Sequence, residues 1–194
     1  MKKRFHHNGR YICDIESTGD ETKDIAIINQ VAEAHGLNVP RVSPAEAIFR
    51  QAHKFATTAE MLFAKIDARP PDGMAVAPFV VNMAFSLELY LKALALQHGK
   101  KLHGHELKKL FKKLPASAQY EIERQIAAFS SASGWAGNVK TVSDLVNIIA
   151  NLNSAFVDWR YSYEMPHRPL KIDFQPTIFL AQVLHSACAA GKPD

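Results

Sequence analysis

The chain has 194 residues, 47% of them hydrophobic and 22% charged, with a mean hydropathy of −0.12 and a formal net charge of +4 at pH 7. This is the profile of an ordinary soluble globular protein, with enough apolar residues for one good core and an extension, and not that of a disordered or membrane-embedded chain. The two cysteines, Cys13 and Cys188, stand near opposite ends without metal-ligand or disulfide spacing, which fits a reducing, cytoplasmic setting. The sequence pI near 9.0 permits an acidic partner without requiring one.

The opening stretch, "MKKRFHHNGRYICD", is basic but leads into no apolar run, so it does not read as a signal peptide. Short β-prone runs flank Asn8-Gly9, a pair suited to the tight turn of a hairpin; a small hairpin and a mobile arm both fit. Residues 20–36 predict a short helix with Ile25, Ile28, Val31 and Ala32 on its apolar side and Gly36 at its stop. Two prolines in "LNVPRVSP" exclude helix there and make it a linker, so 1–40 reads as an extension and 41–194 as the main domain.

From Ser43 onward the pattern is helical throughout. Ser43-Pro44 is a cap followed by proline at the first helical position, with Glu46 three residues after the cap. Ile48, Ala52, Phe55, Ala59, Leu62 and Ile66 then form a core stripe that ends at "ARPPDG". The next helix, from about Pro78 to His98 and closed by Gly99, is apolar nearly all round. Its run 74–96 is long enough for a membrane span, but it carries Asn82, Ser86, Glu88 and Lys92, which suits the enclosed central helix of a bundle. Glu88 and Lys92 stand in the favourable i,i+4 order. Either they pair at an edge, or Glu88 turns inward and needs a charged partner, for which Arg160 is the candidate.

"HELKKLFKKLP" places Leu107, Leu110, Phe111 and Leu114 on one face and Lys108, Lys109, Lys112 and Lys113 on the other. The lysine rows are either a solvated face or a surface that tracks an RNA backbone. His98, His103 and His105 lie close together, but with no cysteine near and a glycine-rich loop between them the pattern argues against zinc; His105 reads as a helix-start or packing residue. A helix over 116–131, a loop "ASGWAGN", a long helix over 141–164 and a closing helix over 175–190 complete an all-α bundle. No phosphate-cradling glycine loop is present.

"NMAFSLELYLKALALQHGK", then "GHELKKLFKKLP", then "FVDWRYSYE" together resemble the HEPN superfamily (higher eukaryotes and prokaryotes nucleotide-binding), over roughly residues 44–190. The resemblance implies an up-and-down helical bundle, usually a homodimer. Many proteins of that kind are metal-independent ribonucleases of toxin–antitoxin and abortive-infection systems. Their signature is an arginine with a histidine a few residues further on, matched here by Arg160 and His167 with 161–166 between them. In that role Arg160 would hold the scissile phosphate and His167 would act as general acid or base, with Glu88, Lys92 and Tyr163 shaping the polar interior around Arg160. The sequence departs from active members in two places: Tyr161 stands where Asn, Asp or His is more usual, and Pro166 precedes the histidine. The resemblance equally admits a non-catalytic module that binds a nucleotide or a partner protein such as a nucleotidyltransferase-type antitoxin. Neither version calls for a cofactor, a metal or a membrane.

Overall fold

The computed structural model describes residues 2–37, 42–153, 158–159 and 171–191. The chain divides into two compact units, Met1–Val42 and Ser43–Asp194. The first holds an antiparallel hairpin and one helix; the second is built of helices joined by loops, with no strand among its described residues.

In the first unit, β1 (Lys2–His7) pairs with β2 (Arg10–Glu16). The turn between them has φ of 50° at Asn8 and 78° at Gly9, the two left-handed positions of a type I′ turn, which asparagine tolerates and glycine adopts freely. Opposite charges face each other across the ladder at Lys2–Glu16 and Arg4–Asp14, and a bulge interrupts the register between Phe5 and His6. Helix α1 (Glu21–Ala34) follows and ends with Gly36 N–H donating to the Glu33 carbonyl and Leu37 N–H to that of Ala32.

The inward face of α1 differs from the expected stripe. Ile25 is 52% exposed, whereas Asp24 and Ala32 are buried. The reason is polar: the Asp24 carboxylate accepts from Ser17 Oγ at 2.5 Å, Thr18 N at 2.6 Å, Thr18 Oγ1 at 2.9 Å and Lys3 Nζ at 3.3 Å. Anchoring Asp24 turns its own side of the helix inward and rotates Ile25 out.

The second unit begins with α2 (Pro44–Ile66), capped as expected by Ser43, whose hydroxyl accepts from Glu46 N at 3.1 Å. A turn of 3-10 helix, Gly73–Ala75, leads into α3 (Val76–Gln97). This helix therefore starts at Val76 and not at Pro78, because proline is tolerated in a first turn whose N–H groups have no helical partner. Aromatic pairs Phe49–Tyr90, Phe55–Phe85 and Phe63–Phe79 run in opposite numerical directions, so α2 and α3 are antiparallel. Buried Ala52, Ala56 and Ala59 let the two backbones approach, and Ser86 Oγ donates to the Ala52 carbonyl at 3.0 Å.

Helix α4 (Leu107–Lys112), α5 (Ala116–Phe129), α6 (Val142–Leu152) and α7 (Phe174–Ala190) complete the described bundle. Helix α6 opens with a capping box between Thr141 and Asp144. The long helix expected over 141–164 is described only through Leu152 and again at Asp158 and Trp159, which are helical; Trp159 is half-buried against the core.

Helix α3 packs against α2, α4 and α7, and its buried residues run from Phe79 to Ala95. Gly73–Gln97 is long and apolar enough to cross a membrane, but 61% of its apolar window is covered by the other helices. Each fully buried Leu or Phe in such a core contributes roughly 1.5–3 kcal/mol. Cys188 on α7 belongs to this core: it is fully buried, donates its thiol to the Tyr90 carbonyl at 3.4 Å, and has its ionisation pushed up by burial.

Candidate nucleic-acid interface

A carboxylate in an enclosed apolar helix must find donors, and Glu88 finds two. It is 5% exposed. Lys92, one turn further along α3, donates to its Oε1 at 2.6 Å. His105 approaches from the loop before α4, with Nδ1 at 3.0 Å from Oε1 and 3.3 Å from Oε2. Both alternatives read from the sequence are thus half right: Glu88 pairs with Lys92, and it does so facing inward.

The loop that delivers His105 is held at several points. Lys100 N–H closes the end of α3 on the Ala95 carbonyl at 2.9 Å, His98 Nδ1 meets Ser117 Oγ at 2.8 Å, and Leu102 is buried. Gly104 has φ 98°, a conformation that side chains rarely adopt, and it turns the chain back so that His105 lies over Glu88. The His105 side chain remains 82% exposed while one ring nitrogen is engaged. His105 is therefore neither a helix-start residue nor a packing residue, as its sequence position suggested; it is the second donor to a buried carboxylate. The signal was present in the sequence as an acidic residue in an apolar helix with only one nearby cation. Among the described residues no group of three or more His, Cys, Asp or Glu is arranged to hold a metal.

Just beyond His105, α4 buries Leu107, Leu110 and Phe111 and exposes Lys108, Lys109, Lys112 and Lys113. Lys109 Nζ meets Glu106 Oε1 at 2.5 Å on the surface. The Lys108 backbone N–H donates to Asn153 Oδ1 at 3.0 Å, so the start of α4 is tied to the end of α6. The structure thus brings Glu88, Lys92 and His105 together and ties the start of the lysine-bearing helix α4 to the end of α6. Arg160, Tyr163 and His167 lie outside the described residues.

A second polar group lies between α2, α3 and α7. Tyr90 Oη and His185 Nδ1 are 3.1 Å apart, and the His53 and His185 rings lie 4.9 Å apart, tilted by 44°. They line a cavity of about 220 Å³ together with Glu60, Gln182 and Met83. Burial raises the Tyr90 phenol well above its ordinary range, so it stays protonated.

Comparison of the chain with protein-family models, with curated proteins and with solved structures gives no match, so the functional reading rests on the chain's own residues.

Proposed function

We propose that this chain is a HEPN-like helical protein that binds RNA and cleaves it without a metal ion, as a homodimer acting in a defence or toxin-type system. Arg160 neutralises the scissile phosphate and His167 exchanges a proton with a ribose or leaving oxygen. The observation that carries this reading is the Lys108–Asn153 hydrogen bond. It ties the start of α4, the helix whose lysines are exposed, to the end of α6, after which the sequence continues to Arg160. A duplex or single strand held by its phosphates on such a face binds with little sequence preference and with strong salt dependence. A second observation bears on Glu88: its charge is already met by Lys92, with His105 as a further donor, so it does not require an arginine as its partner.

The test is cleavage of end-labelled RNA in EDTA by wild type, Arg160→Ala and His167→Ala, with folding checked by circular dichroism. The expected products carry 2′,3′-cyclic phosphate and 5′-hydroxyl ends, and each variant loses about 100-fold or more of the rate. No cutting by wild type over a range of RNAs would sink the nuclease reading. It would favour the non-catalytic module that binds a nucleotide or a nucleotidyltransferase-type antitoxin.

A further inference from the structure

We infer that His105, oriented by Glu88, is a general base of the proposed RNA site; the inference rests on the ribonuclease reading and adds a catalytic group to it. The argument begins with the buried carboxylate. An ionised Glu88 accepts hydrogen bonds only, so the nitrogen of His105 that faces it, Nδ1, must carry the proton. In a neutral imidazole this leaves Nε2 as an open acceptor.

Lys92 Nζ, at 2.6 Å, also donates to Glu88, so His105 is not its sole partner. Glu88 is 6% exposed at its side chain and Lys92 20%, which keeps the anchoring end of the dyad fixed, while His105 is 82% exposed at its side chain. A carboxylate fixing one ring nitrogen while the other faces outward is the arrangement by which a histidine base is held in a single tautomer and orientation.

The surroundings also fit the substrate. His105 directly precedes the helix that exposes Lys108, Lys109, Lys112 and Lys113, so a phosphate backbone drawn to those lysines passes close to the imidazole. The buried face of α4 and the Asn153 contact hold that helix in place. A purely structural donor to Glu88 would not need to be a histidine, nor to keep most of its ring in solvent.

The step balances without any further reagent. Nε2 takes the proton of a ribose 2′-hydroxyl as the 2′-oxygen bonds to the adjacent phosphorus. The bond from phosphorus to the 5′-oxygen breaks, and that oxygen takes a proton from the acid of the proposed ribonuclease site. The imidazolium returns its own proton to that acid through water. The products are a 2′,3′-cyclic phosphate and a 5′-hydroxyl end. Glu88 touches no reacting atom and is a positioning residue.

The experiment compares the full-length wild type with His105→Ala and Glu88→Gln on a labelled RNA in EDTA, with and without added imidazole. His105→Ala is expected to keep its fold, to bind a 2′-deoxy oligonucleotide as wild type does, and to lose about 100-fold in kcat, part of which free imidazole restores. Glu88→Gln is expected to lower kcat with little change in KM, and imidazole is expected not to restore it. Undiminished cleavage by His105→Ala, or a loss that imidazole does not touch, overturns the inference and leaves the ribonuclease reading standing. Absence of cleavage by wild type overturns both.

Discussion

Lys108 donates its backbone N–H to the side-chain oxygen of Asn153, at 3.0 Å and across 45 positions of the chain. The residue that precedes α4, Glu106, makes no side-chain cap of its own. Asn153, immediately after α6, therefore does from another helix what a capping residue does locally. Asn153→Ala is expected to destabilise the protein by about 1 kcal/mol, the usual cost of a lost cap. Urea denaturation measures the change. Asn153→Asp should hold stability close to wild type, since a carboxylate accepts the same N–H.

The Glu88–Lys92 pair predicts an asymmetry. Removing the lysine charge by Lys92→Met leaves a carboxylate whose side chain is 6% exposed and whose remaining partner, among the described residues, is His105. Removing the glutamate charge by Glu88→Gln keeps an acceptor and leaves a lysine that is 20% exposed and can reach water along its stem. Breaking a fully buried pair costs about 3–5 kcal/mol, and Lys92→Met should approach the lower end of that range. Glu88→Gln should cost about 1 kcal/mol, the worth of the charge-assisted part of its hydrogen bonds. Equal losses in thermal or chemical denaturation would show that the carboxylate is better solvated than its burial indicates.

If the face of α4 carries phosphates, its lysines act as separate counterion-releasing contacts. Lys112→Ala and Lys113→Ala are each expected to weaken binding of any RNA sequence to a similar extent. Each should also lower the slope of log affinity against log salt by about 1. Fluorescence anisotropy over a salt series reads both quantities. Slopes that stay at the wild-type value would make this surface a solvated helix face and nothing more.

Much of the helical unit was legible because its cues are local. Ser43-Pro44 caps α2, the spacing of Leu107, Leu110 and Phe111 marks the buried face of α4, and the lysines fall opposite by the same period. Asn8-Gly9 likewise names its own turn. What the sequence hid depends on distance or on polar anchoring. Ile25 was expected inside, but the hydrogen bonds to Asp24 set the rotation of α1, and those reach back to Ser17, Thr18 and Lys3. The start of α3, about Pro78 by sequence, lies at Val76, since proline sits equally well within a first turn. His105 meets Glu88 only because Gly104 reverses a loop 17 positions downstream of the carboxylate, and no periodicity carries that information. Glu88 and Lys92 were legible as a pair, but not the third member that completes the site.

Asp24 predicts how the first unit responds to acid. The Ser17 hydroxyl first, then the Thr18 N–H and hydroxyl and the Lys3 ammonium, hold its carboxyl well below the usual carboxylate range. A carboxyl with a lower pKa folded than unfolded stabilises the fold at pH values above its unfolded pKa of about 4. That contribution declines as the pH drops below this value and is gone once it has passed through the folded pKa. The protection factors of the β1–β2 ladder amides, corrected for the intrinsic exchange rate at each pH, should therefore fall below about pH 4 in wild type. In Asp24→Asn the ladder should exchange faster at neutral pH and lose most of that acid dependence. Asp144, whose carboxyl is lowered by hydrogen bonds from Lys140 and Thr141, contributes a similar dependence at the start of α6. Residual acid sensitivity in Asp24→Asn should accordingly map to α6 and not to the hairpin. A hairpin whose exchange in Asp24→Asn follows the wild-type pH profile would show that the Asp24 hydrogen bonds do not hold the unit together.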